Sequence, residues 1–228
     1  MSLFTRVGSV LSLRFKLDER IPLGYKIGLA VEYLTSMLRG SLSLGVRKRR
    51  LVPFFRGKGA TVRCSSLIKV GRGVRLGRYS HVDGLSLNGV SFGDGAKLGD
   101  FSRVICSGSL EKLGVGVEIG RRVGIGEYSR IGGSGGVVIG DDTIIGQYFS
   151  AHPENHLFQD KSMLIRLQGT QRAQIVVGSN CWIGAKVTLL AGTQIGDSCV
   201  VAAGSVVNSS FPAYSVIGGA PARLLKSY

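Results

Sequence analysis

From Val177 an aliphatic residue returns at every sixth position: Val177, Ile183, Leu189, Ile195, Val201 and Val207. Glycine or the small Ala202 follows four of the first five of these. Four residues after each of the five sits another compact side chain: Cys181, Val187, Thr193, Cys199 and Ser205. A period of six fits neither a helix, at 3.6, nor simple strand alternation, at two. Five successive hexads in register are the mark of hexapeptide repeats that wind into a parallel β-helix. The aliphatic and the compact residue of each hexad are then the predicted core.

The register extends upstream with interruptions. Val70, Leu76 and Val82 lie six apart, as do Phe92, Leu98 and Val104. Leu113, Ile119, Ile125 and Ile131 make a further run, and Ile139, Ile145 and Ala151 another. The slips between runs predict short bulges at corners of one continuous solenoid. The chain has 35 glycines among 228 residues, about double the usual share of ~7%. With only five prolines and no three-residue period, collagen is excluded, and tight corners account for the excess. The predicted organisation is a segment 1–60, a β-helix over 61–212 and a tail over 213–228.

Pro153–Gln174 holds no hexad and must project as a loop, and long excursions of this kind are usually functional. The chain has three histidines, His81, His152 and His156, and two of them stand at the base of that loop. Histidine accepts a proton near neutral pH without a shifted pKa. At a coil edge beside a loop it is placed to act as a general base. His81 is expected to be structural.

Residues 1–60 carry twelve Lys/Arg against three Asp/Glu, nine of the fifteen net positive charges. Ile27, Leu29, Ala30, Tyr33, Leu34, Met37 and Leu38 have helical spacing, and Arg47–Arg50 follows. Such a helix either caps the open end of the β-helix or lies on an anionic membrane surface. It is too polar to span a bilayer. Cys64, Cys106, Cys181 and Cys199 form no CxxC pair, and Cys181 and Cys199 occupy core slots, so reduced thiols are expected. No n-region, h-region and cleavage site open the sequence, which predicts a cytoplasmic protein without a cleaved signal peptide.

Val177-Gly-Ser-Asn-Cys-Trp-Ile-Gly-Ala-Lys, Ala203-Gly-Ser-Val-Val and Gly219-Ala-Pro-Ala-Arg together resemble the C-terminal half of the hexapeptide-repeat acyltransferases. The nearest subgroup is the galactoside, maltose and polysaccharide O-acetyltransferases. The resemblance implies an all-β, left-handed parallel β-helix of three hexads per coil, assembled as a homotrimer with active sites between subunits. It implies His152, in its His-Pro step, as catalytic base: His152 deprotonates a sugar hydroxyl, which attacks acetyl-CoA directly. His156, Glu154 and Asp160 are candidate supporting residues, since one imidazole nitrogen needs an acceptor to fix the tautomer. It implies acetyl-CoA contacts at Trp182, Ala185, Lys186, Ala203, Asn208, Ser209, Arg223 and Lys226. Ala185 stands where the family commonly has serine, and Asn208-Ser209 where it has Thr-Lys. The implied acceptor is a sugar of a bacterial surface polysaccharide or its precursor, with N-acetylation of a nucleotide-linked amino sugar as the alternative. No metal is expected. Zinc γ-carbonic anhydrases share the β-helix, but their paired histidines are five apart and His152 and His156 are four apart. No nucleic-acid partner is expected either, because no aromatic-studded basic strand or helix-turn-helix pattern accompanies the charge.

Overall fold

In the computed structural model, which describes residues 18–43 and 53–228, each hexad becomes one short strand and one corner. In Ile183-Gly184-Ala185-Lys186-Val187-Thr188 the strand Trp182–Ile183 ends on an inward Ile183. Lys186 turns the chain at φ 58°, and Val187 points inward again. Gly184 has no alternative: a Cβ there would lie 2.5 Å from the backbone nitrogen of Ala203 in the next coil.

Successive strands therefore fall on three parallel faces. The first face has nine strands, beginning with Phe54–Arg56, and the second has seven, beginning with Thr61–Arg63. The third also has seven, beginning with Ile68–Val70. In the last coils Val177 stacks on Ile195, Ile183 on Val201 and Leu189 on Val207. Each step is three hexads, so one coil is eighteen residues. This is the left-handed parallel β-helix expected from the sequence.

All six aliphatics from Val177 to Val207 are 0–2% exposed, and Cys181, Val187, Thr193, Cys199 and Ser205 are equally buried. Truncating one of them, such as Leu189 to Ala, removes stacking on both sides and costs about 2–5 kcal/mol. The buried polar members are satisfied: Thr193 Oγ1 donates to the Val207 carbonyl at 2.9 Å and Ser205 Oγ to the Ala202 carbonyl at 2.6 Å. Cys181 and Cys199 are free thiols in the core, as expected.

Three sequence expectations shift. The solenoid starts at Phe54, inside the segment assigned to the N-terminus, because Phe54 stacks on Val74 and fills the first layer. Leu113 forms no rung: the chain from 107 to 116 is an insertion, and Val117–Ile119 follows Val90–Phe92 directly on the third face. The array does not end at Phe211–Pro212. Ser215–Gly219 adds a further parallel strand, and Ala222–Ser227 returns antiparallel against it.

The helix α1, Leu23–Ser43, packs on the strand Phe54–Arg56. Tyr33 meets Phe55 edge-on at 5.8 Å, and Arg39 Nε donates to the Arg56 carbonyl at 3.0 Å. Gly40 lies so close that a Cβ would be 1.9 Å from the Phe54 carbonyl oxygen. The helix and the C-terminal strand thus cover the terminal strands of the first face, which would otherwise be open to pairing. Arg47–Arg50 lies outside the described residues.

Candidate active site

The strand Ser150–His152 is the fifth on the second face. Alternation buries Ala151 completely and turns His152 outward, at the point where the regular coil gives way to the loop. Partial burial, and next the charge of Arg130, hold the His152 pKa below the usual 6.5. Both effects disfavour the imidazolium. A neutral imidazole at neutral pH is what a general base requires.

The loop is an antiparallel hairpin at its base, with Glu154 opposite Arg172, Asn155 opposite Gln171 and His156 opposite Thr170. Arg172 fastens it. Its Nε donates to the Glu154 carboxylate, one terminal nitrogen to the Leu113 carbonyl at 2.8 Å, and the other to the Lys112 carbonyl at 3.2 Å. Glu154, one of the candidates for orienting His152, has its carboxylate engaged by Arg172. Asp160 is engaged as well, accepting from the Ser162 backbone N–H at 2.8 Å and its hydroxyl at 2.6 Å. His156 sits exposed on the hairpin. Among the described residues of this one chain, the His152 imidazole has no hydrogen-bond partner.

His81 occupies the same face three strands earlier, roughly 14 Å away by strand spacing. Its Nδ1 is 2.6 Å from the Thr61 hydroxyl, consistent with a structural role. Among the described residues no three His, Cys, Asp or Glu side chains gather as a metal site would need.

The residues implied for acetyl-CoA fall into three places. Ala185, Lys186 and Ala203 form the corner between the first and second faces, where the Gly204 N–H donates to the Ala185 carbonyl at 2.9 Å. Trp182, 58% exposed, lies on the outer first face in one row with Val200, Val216 and Lys226. Arg223 pairs with Gly218 on that same C-terminal strand. Asn208 and Ser209 lie at the far end of the second face. Ala151, Leu189 and Val207 share a row, so Asn208 follows His152 and Leu190 in the adjoining one. That places Asn208 about 10 Å from His152. About 13 Å of strand separates the Lys186 corner from the Leu190 end. One chain therefore spreads these groups along a wall and does not fold them into one pocket.

Sequence reasoning missed Arg130 and Arg172, which look like ordinary surface cations until the coils place them beside His152 and Glu154. It also missed an aromatic ladder. Tyr79, Phe101, Tyr128 and Tyr148 stack along one corner with centroids 5.1–5.3 Å apart. Each holds a positive φ of 54–59°.

Residues 174–209 match the family model described as Bacterial transferase hexapeptide (six repeats). Proteins similar to the chain include a relative from Escherichia coli strain K12, provisionally named lipopolysaccharide biosynthesis O-acetyl transferase WbbJ. It is 34% identical over 113 residues, covering 46% of this chain and 58% of the relative. Galactoside O-acetyltransferase of the same strain is 31% identical over 94 residues, 40% of this chain and 43% of that protein. The chain thus spans about half the length of these relatives. Among solved structures, the D94N mutant of AntD, an N-acyltransferase from Bacillus cereus in complex with dTDP and coenzyme A, superposes with a TM-score of 0.54 at 18% identity. The match covers 76% of this chain and 80% of that one. At that identity it shows that the two share the β-helix fold.

Proposed function

We propose that the chain is an acetyl-CoA-dependent O-acetyltransferase acting on a sugar hydroxyl of a bacterial surface polysaccharide or its precursor. The observation that carries this reading is His152. It is an outward imidazole kept neutral by burial and Arg130, at the mouth of a braced loop and at one end of the hexapeptide wall. The acetyltransferase relatives support the reaction class, and the coenzyme A complex of AntD supports the co-substrate.

In this reading His152 takes the proton of the acceptor hydroxyl as that oxygen attacks the thioester carbonyl. The C–O bond forms, the C–S bond breaks, and the proton passes from the imidazolium to the departing thiolate. The small Ala185 and Ala203 leave backbone amides open to the pantetheine arm. Arg223 and Lys226 offer charge-assisted donors to phosphate. Lys186 and Trp182 flank that path, and Asn208 and Ser209 border it near His152.

A homotrimer completes the site, with the wall of one subunit facing the histidine of the next. The extruded loop supports this reading, because Phe158, Leu164 and Leu167 expose 60–65% of their surface. Apolar surface of that kind calls for cover by a neighbouring subunit. We place the protein in the cytoplasm, where acetyl-CoA is available; among the described residues no helix is long and apolar enough to cross a membrane.

The test is thiol release from acetyl-CoA across a panel of sugars, oligosaccharides and nucleotide-linked amino sugars, with mass determination of the assembly in parallel. Release with a sugar hydroxyl acceptor, abolished in His152→Ala, is expected. Full activity of His152→Ala would remove the mechanism, and release only with amino sugars would replace O- by N-acetylation.

A further inference from the structure

The helix α1 buries one side and leaves the other uncovered. Ser36 and Gly40 are buried, and Tyr33 is packed on Phe55. Leu23, Ile27, Val31, Leu34, Leu38 and Leu42 recur every three or four residues on the opposite side, each 51–82% exposed. Over the helix rise this is a continuous apolar stripe roughly 29 Å long. A surface helix normally reverses this arrangement, with its apolar stripe toward the core.

The coil on which the helix packs is cationic. Residues 53–80, the first coil and the start of the second, contain seven Lys/Arg and no Asp/Glu. Two of these adjoin the helix. The Arg75 guanidinium lies 4.8 Å from the Tyr33 ring centroid, on the packed side, and donates to its hydroxyl at 2.5 Å. Arg78, paired with Asp100 at 2.9 Å, lies 4.0 Å from Glu32, the one acidic residue of the helix. Two copies meeting through this face would bring like charges together. An anionic surface would meet both the stripe and the charge.

We propose that α1 docks the protein on an anionic lipid bilayer. The helix lies in the plane of the interface, its Leu23–Leu42 stripe among the acyl chains and the basic first coil over the headgroups. The geometry is that of an interfacial amphipathic helix: a single apolar stripe with polar flanks, too polar to span. The face is separate from the His152 site, four strands further along the solenoid from its first second-face strand. The proposal therefore does not depend on the transferase reading.

Flotation of the full chain with phosphatidylcholine–phosphatidylglycerol vesicles, against phosphatidylcholine alone, tests it. Binding to the anionic vesicles, weakening with added salt, is expected. The double variant Leu34→Glu/Leu38→Glu is expected to bind about 100-fold more weakly, near tenfold for each leucine withdrawn from the acyl region. Far-UV circular dichroism checks that it is folded. Cys64→Ser/Leu38→Cys carrying an environment-sensitive fluorophore reports insertion without adding charge, and a blue shift with anionic vesicles is expected. Failure of the wild type to float, equal binding by the double variant, or an unshifted fluorophore would each overturn the proposal. So would a wild-type assembly that loses subunits in the double variant, which would assign the stripe to a second copy.

Discussion

Replacing Arg172 by Met removes the fastening of the extruded loop while keeping most of the side-chain volume. Three donations are lost: one to the Glu154 carboxylate and two to the carbonyls of Leu113 and Lys112. The ion pair is neither fully buried nor on the surface, with 16% of the Arg172 and 28% of the Glu154 side chain exposed. Breaking a buried pair costs about 3–5 kcal/mol, and an exposed pair contributes about 0–1 kcal/mol. Water reaching Glu154 places this case near 2 kcal/mol. The hairpin rests on the prism rather than within it, so the cost falls on its local opening. At about 1.4 kcal/mol per decade, the open population should rise roughly 30-fold. Hydrogen exchange followed by mass spectrometry reads this directly. Peptides covering 154–172 should lose protection by about that factor, while those covering 183–207 stay unchanged. Glu154→Gln, which keeps a neutral acceptor opposite Arg172, should lose less. Because Pro153 alone separates Glu154 from His152, kcat should fall in the Met variant. Unchanged protection of the hairpin, or equal loss throughout the solenoid, would refute the reasoning.

The pKa of His152 is depressed first by burial and second by Arg130. Arg130→Gln should therefore return it part of the way toward 6.5 and move the acid limb of the kcat/KM profile to higher pH; an unmoved limb would show that Arg130 is not felt at the base. In the aromatic ladder Tyr128 stacks on both Phe101 and Tyr148, so Tyr128→Ala should cost about 1–3 kcal/mol from the two ring pairs, read by urea denaturation. Tyr128→Gly should be less destabilised than the Ala variant, because the backbone there holds φ at 57° and glycine adopts that value without penalty. Burial raises the Cys181 and Cys106 thiols to about 11, whereas Cys64 is exposed. Thiol reagent at neutral pH should accordingly modify Cys64 in the native protein and reach Cys106 and Cys181 only after denaturation; rapid native labelling of Cys181 would contradict the packed core.

The prism was legible because its code is local. An aliphatic at one position and a compact residue four later specify a strand and a corner wherever they occur, so Val177–Val207 announced both the architecture and the identity of its core. The position of His152 as a candidate was legible for a related reason: the end of the period is itself a signal, and His152 and His156 stand at that end. What sits beside what on the outside followed a different rule. Which corner residues meet depends on the summed lengths of every insertion between coils. The rings of the ladder are separated by 22, 27 and 20 residues, intervals with no common period. For the same reason Leu113, six residues from Ile119, resembled a rung until the chain around it proved to be an insertion whose carbonyls hold Arg172. Phe54 joined the core only because Val74 lay beneath it, and the C-terminal strand formed because a last parallel edge was left open. The sequence alone determined the wall, written in short-range periodicity, and the place where that periodicity stops beside His152. Only the tertiary structure decided that Glu154 belongs to Arg172, that Arg130 lies beside His152, and that the apolar side of α1 faces outward, because each depends on contacts between residues whose spacing carries no period.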